Sequence, residues 1–284
     1  MIVTKKNRTA FAFTAFCVMV SALSSASATL AQASPSSSPS VSPKPADPAE
    51  IFWQNLNPYQ KSLVERMYTD WGFLAKYRDS DQSLPAPGPG ETRVVFMGDS
   101  ITEAWGMKAT ATSPARGEFF SGKPYLNRGI SGQTSPQMLV RFRQDVLDLK
   151  PAVVVILAGT NDVAENTGKM TAQETLGNII SMVELARAAK IRPVLCSVLP
   201  ASDFRWHTGL QPAPKIQALN ELIKNYAAKN NVVYVDYYSP MVNAEGGLKS
   251  ELSPDGVHPN AAGYAIMAPL AEAGISAALK QSPR

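Results

Sequence analysis

The chain has 284 residues, 45% hydrophobic and 18% charged, with a formal net charge of +4 and only two cysteines. That length holds one large domain or two small ones. Lys5, Lys6 and Arg8 fall within residues 1–33 and no acid does, so without that segment the net charge is +1. Nothing in such a balance calls for a nucleic-acid or anionic-membrane partner.

Residues 1–33 read as a signal peptide. A basic start leads into the apolar run Ala10 to Leu23 and then into two small-x-small sites, Ala26-Ser27-Ala28 and Ala31-Gln32-Ala33. Cleavage is expected after Ala28 or Ala33, and the product is expected in the periplasm or outside the cell. The apolar run is short of the ~20 residues of a membrane span, so no integral membrane segment is expected after cleavage. A lipoprotein at Cys17 is disfavoured by the bulky Phe16 before it. Cleavage leaves Cys196 alone and rules out an internal disulfide. Residues 34–50 form a Pro/Ser-rich linker expected to be extended and disordered.

Between Ile51 and about Tyr77, the residues Phe52, Leu56, Leu63, Met67, Trp71 and Leu74 recur mostly at three or four. They predict a helix or helix pair packed on a core, part of an N-terminal extension over 51–90 to a single domain over 51–284. Pro and Gly at 85–90 then break the chain. Apolar runs of strand length follow at Val94–Met97, Ala152–Ala158, Pro193–Leu199 and Val232–Val235, with a weaker one near Tyr125–Ile130. Helical patterns occupy Ser135–Leu149, Thr171–Lys190, Pro214–Asn230 and Ala261–Leu279. Continuous apolar strands alternating with helices predict an α/β fold, with a parallel sheet covered on both faces.

The first strand runs into Gly98-Asp99-Ser100. In open parallel sheets, ligands sit at the carboxyl ends of strands. Ser100 is therefore either a nucleophile at a helix start or, with Asp99, a plain helix cap. Thr102 stands where the G-x-S-x-G elbow of α/β-hydrolases has its second glycine. A serine nucleophile needs a base, and the chain has two histidines. His258 follows Asp255 by three residues, and His207 follows Asp203 by four.

Four segments settle the choice by resemblance. Gly98-Asp99-Ser100, N-R-G-I-S-G-Q-T-S at 127–135, A-G-T-N-D-V at 158–163 and S-P-D-G-V-H-P-N at 253–260 resemble the four blocks of the SGNH, or GDSL, esterases and lipases. The wording is similar to the lysophospholipase-like and platelet-activating-factor-acetylhydrolase-like bacterial branch. The resemblance implies a three-layer α/β/α sandwich with a five-stranded parallel sheet in flavodoxin-like order. It makes Ser100 the nucleophile, His258 its base and Asp255 the residue that orients His258. The Ser100 and Gly132 N–H groups and the Asn161 amide would form the oxyanion hole. Asp99 and Asp162 would brace loops, a role to which capping is an equal alternative.

The implied activity is ester hydrolysis through an acyl-enzyme on a small-molecule or saccharide acyl ester. The alternatives are an O-acyltransferase acting on cell-surface glycans, a lysophospholipase, or an inactive binding module. No metal-ligand spacing, Walker loop or G-x-G-x-x-G is present, so no cofactor or metal is expected. Among the loop aromatics, Trp105, Phe119, Phe120, Phe204 and Trp206 are candidates to line a substrate pocket, beside His207. Residues 103–123 contain no long amphipathic lid, which predicts a preference for short acyl groups, acetyl to butyryl.

Overall fold

The computed structural model describes residues 47–110 and 114–282; the signal-peptide reading and most of the linker lie outside them. The chain divides after Gln54. Helix α1 (Pro48–Asn55) falls almost wholly before that boundary, and the sheet and its covering helices all belong to the unit from Asn55 onward.

Five parallel strands form one sheet: β1 (Val94–Gly98), β2 (Tyr125–Gly129), β3 (Val153–Ile156), β4 (Arg192–Cys196) and β5 (Val233–Val235). Their order is β2-β1-β3-β4-β5, flavodoxin-like, as the resemblance implies. β1 and β3 are buried at every position because both faces of the sheet are covered. The apolar runs of the third and fourth strands continue past the last ladder residue. Leu157, Ala158, Val198 and Leu199 stay buried as coil leading into the loops at the carboxyl edge.

The two faces are filled differently. On one, α5 (Ser135–Phe142), α7 (Ala172–Ala188) and α8 (Pro212–Asn230) pack side by side over Val95, Met97, Val154 and Ile156. The helix begun at Ser135 continues as a π-turn over Arg143–Leu147 and so spans the predicted segment. The other face has α10 (Ala261–Leu279) lying on β3, β4 and β5, with the single-turn α9 (Tyr238–Met241) against it. Beside it, Trp105, Phe119 and Phe120 close over Phe96 and Tyr125. Trp105 stacks on Phe119 at 4.4 Å and on Tyr264 of α10 at 5.5 Å. Among the described residues, α10 is the one helix long and apolar enough to cross a membrane, and its Tyr264, Met267 and Ile275 are buried on the sheet.

The N-terminal extension contains a helix pair, as its periodicity predicts, but the pair ends before Trp71. α2 (Pro58–Thr69) starts at Asn57, whose side chain and that of Gln60 form a reciprocal capping box ahead of Pro58. The chain leaves the helix at Asp70, so Trp71 is 39% exposed while Phe73 turns inward. A further short helix, α3 (Arg78–Ser83), carries no buried residue and showed no periodicity; Asp81 ties it to Arg128 of β2.

Candidate active site

Ser100 is the first residue of a short helix, α4 (Ser100–Ala104), entered directly from β1. α4 presses closely onto the strand ends: a Cβ on Gly129 would lie 2.0 Å from the Glu103 nitrogen, and one on Gly98 2.1 Å from Thr102 Oγ1. Side chains at either place would lift α4 and move Ser100. Asp99 is the cap, its Oδ1 accepting from the Ile101 N–H at 2.9 Å. That leaves the Ser100 hydroxyl uncommitted, and its Oγ lies 2.9 Å from His258 Nε2.

His258 reaches Ser100 from the loop before α10. Its Nδ1 lies 2.7 Å from Asp255 Oδ2, while Asp255 Oδ1 accepts the His258 N–H at 2.8 Å and the Val257 N–H at 3.0 Å. Burial pushes the Asp255 carboxyl up, but the His258 and Val257 N–H groups and the His258 ring outweigh it and hold it at about 2. An ionised carboxylate only accepts hydrogen bonds, so the proton lies on Nδ1 and Nε2 is free to accept from Ser100. Ser253, which the sequence did not single out, holds this loop: its Oγ lies 3.1 Å from Asp255 Oδ1 and 2.8 Å from the His258 carbonyl.

The rival pair does not form. Asp203 Oδ1 accepts from the Gly209 N–H at 3.2 Å, and His207 Nδ1 lies 2.8 Å from the Ala164 carbonyl.

Gly132 follows β2 with φ +78, a backbone that side chains disfavour, and its N–H has no protein acceptor among the described residues. Asn161 sits in α6 (Thr160–Val163), directly after β3. Its amide is not idle: Nδ2 donates to Asp99 Oδ2 at 3.2 Å and to the Gln133 carbonyl at 3.0 Å, and Oδ1 accepts from Asn166 Nδ2 at 2.8 Å. Facing a new oxyanion therefore requires the amide to share one of these protons. Asp99 is fully buried, and burial raises its carboxyl to about 6 against the pull of the Ile101 N–H. Asp162 accepts from the Ser135 N–H at 3.0 Å and from the Ser135 hydroxyl, pinning the start of α5; burial raises its carboxyl too.

Beneath these loops lies a support that the sequence did not reveal. Arg141 and Asp145 pair at 2.8 Å with both side chains fully buried. Arg141 also donates to the Gly98 carbonyl at 3.0 Å and to Gln133 Oε1, tying the end of β1 to the loop after β2.

An open cleft of about 360 Å³ is lined by Ser100, Glu103, Ala104, Met107, Arg116, Ser131 and His258. The aromatic expectations divide here. Trp105 and Phe119 are buried in the cluster around Phe96, and Phe204 is buried in the cluster on the opposite face of the sheet, so none of the three lines the cleft. Phe120 is partly buried against the Phe96 cluster. Trp206 is 48% exposed, its ring 6.2 Å from that of His258 and its Nε1 donating to Asn166 Oδ1 at 3.0 Å. Among the described residues, no cluster of His, Cys, Asp or Glu is arranged to hold a metal. Cys196 is buried, which pushes its thiol up to about 12.

Residues 96–266 match the GDSL-like Lipase/Acylhydrolase family. A GDSL-like lipase structure from Bacteroides thetaiotaomicron is 46% identical, covering 73% of this chain and 98% of that one, with a TM-score of 0.69. Human platelet-activating factor acetylhydrolase IB subunit alpha2 is 31% identical over 190 residues, 64% of this chain and 76% of that protein. An acetylxylan esterase of Xylanibacter ruminicola is 29% identical over 68% of this chain, which spans 45% of that longer protein. The chain thus belongs to the GDSL-like lipase/acylhydrolase family and is an ester hydrolase.

Proposed function

We propose that this chain is an exported serine esterase that removes short acyl groups, acetyl above all, from oxygen esters through an acyl-enzyme. One observation carries the proposal: Ser100, His258 and Asp255 form a continuous chain of contacts at 2.9 and 2.7 Å, opening on a cleft. His258 Nε2 takes the Ser100 proton as Oγ attacks the ester carbonyl, and Asp255 stabilises the imidazolium that forms. The carbonyl oxygen, now negative, faces the Gly132 and Ser100 N–H groups. The latter is an unpaired donor at a helix start. Asn161 joins them by turning a proton from the Gln133 carbonyl. His258 then returns its proton to the leaving alcohol oxygen, and a water repeats the attack on the acyl-serine.

The short-acyl preference is supported by the cleft wall, where Ala104, Met107 and Ser131 build no long apolar groove. The names of two relatives point the same way, one being an acetylhydrolase and one an acetylxylan esterase. Export is supported by the basic, apolar and small-residue sequence of residues 1–33.

The test is a chain-length series of 4-nitrophenyl esters, run beside acetylated xylan and lysophosphatidylcholine. kcat/KM is expected to peak between acetyl and butyryl and to fall by octanoyl. A maximum at decanoyl, or a jump above the micellar threshold, would restore a lipase or lysophospholipase reading. Turnover that depends on an added sugar acceptor would make the enzyme an acyltransferase. A fluorophosphonate probe should label the wild type but not Ser100→Ala.

A further inference from the structure

The cleft at Ser100 contains a cation that ester hydrolysis does not use. Arg116 lines it together with Glu103, and its backbone is fixed there by two hydrogen bonds. The Arg116 N–H donates to the Met107 carbonyl at 2.8 Å, and the Gly106 N–H donates to the Arg116 carbonyl at 3.2 Å. Each neighbouring carboxylate is already engaged. Glu103 Oε1 pairs with Lys76 at 2.9 Å and its Oε2 accepts from the Ser131 N–H at 2.8 Å, while Asp255 is bonded to His258. Among the described residues no carboxylate lies within ion-pair distance of Arg116. Its Nη1 donates to the Pro259 carbonyl at 3.4 Å, and its guanidinium also meets the Tyr264 hydroxyl, both neutral acceptors.

We infer that Arg116 selects esters whose alcohol portion carries a carboxylate, such as an O-acetylated acidic sugar. This rests on the esterase reading of the same site. Direction argues for the alcohol portion. The acyl oxygen points toward Gly132 and Asn161, while the leaving oxygen must meet His258 Nε2, and Arg116 reaches the residue immediately after His258. A guanidinium also meets a planar carboxylate with two parallel N–H donors, a fit that a point charge lacks. The absence of an apolar groove argues against the phosphate of a lipid headgroup as the anion.

The matched probes are 4-acetoxybenzoate and its methyl ester, which differ in one charge, with 4-acetoxyphenyl phosphate as a third arm. Wild-type kcat/KM should favour the benzoate over its methyl ester by about 10-fold or more, the range of a hydrogen bond to a charged group. In Arg116→Gln this ratio should collapse toward one, mainly through KM for the anion; Arg116→Lys should retain part of it. Raising the salt to 1 M, where the screening length is about 3 Å, should reduce the wild-type ratio. A wild-type ratio near one, an Arg116→Gln that slows both esters equally, or a preference for the phosphate over the benzoate would each overturn the assignment. Failure of the enzyme to cleave either acetate would instead refute the esterase reading.

Discussion

Two loops of this protein each place an aspartate a few residues before a histidine, and only one of them makes a pair. In 203–207 the carboxylate is spent on the Gly209 N–H and the ring on the Ala164 carbonyl. Over 253–258, Ser253 and the backbone N–H groups of Val257 and His258 hold one carboxylate oxygen, which turns the other onto the imidazole. Sequence spacing brings such groups within reach of each other. The remaining hydrogen bonds of the carboxylate decide where it points.

Substitutions can break that contrast in order of severity. His258→Ala should cost about 10⁴–10⁶-fold in kcat on 4-nitrophenyl acetate, with folding intact by circular dichroism, because nucleophile and base act as a unit. Were His207→Ala equally dead and His258→Ala active, the 203–207 pair would replace it. Asp255→Asn should lose up to ~10⁴-fold by misorienting the ring.

Asp255 also has a stability signature. Its carboxyl titrates at about 2 when folded against an ordinary 3.8. The charge therefore stabilises the fold above pH 3.8, and that contribution is lost as the pH falls through about 2. The difference in denaturant midpoint between wild type and Asp255→Asn should accordingly be constant above about pH 5 and shrink below 3.8.

Asn161→Ala should lower kcat by ~10²–10³ with little change in KM. A change confined to KM would leave Asn161 a ground-state binding group. Ser253→Ala should fall between the loops, losing about 10-fold in kcat, since the carboxylate keeps two N–H donors and loses one hydroxyl. His207→Ala should be the mildest, within about 0.5 kcal/mol in stability and near wild-type in kcat.

The sheet was legible because β1 and β3 are unbroken apolar runs of strand length between turn signals, whereas β2, with Asn127 and Arg128 in it, gave a weaker signal. Ser100, Asp255 and His258 were legible because motif blocks sit at strand ends and before the last helix. The aromatic face was not. Trp105 and Phe119 looked like pocket-lining loop residues, and nothing local signals that Phe96 and the distant Tyr264 draw them into the core. Arg141 reads as an ordinary basic residue on an amphipathic helix, since its partners Gly98 and Gln133 come from elsewhere in the chain. Asn161 was recognisable as a donor, but its commitment to Asp99 and Gln133 exists only in three dimensions.

The placement of α10 also sets the order in which the molecule can be completed. Strands β2, β1, β3, β4 and β5, and the three helices on the opposite face, all precede Ala261 in the chain. A chain emerging from its N-terminus can pair every strand and still leave Val153, Val155, Val194 and Val235 bare until α10 arrives. Exposed apolar sheet invites association with other chains, and long-range closures are slow. The nascent protein therefore has a vulnerable interval that ends only with its last helix. His258, just ahead of that helix and 158 residues from Ser100, reaches its partner in the same late step. The contact between Ser100 and His258 thus forms together with the cover over the apolar sheet.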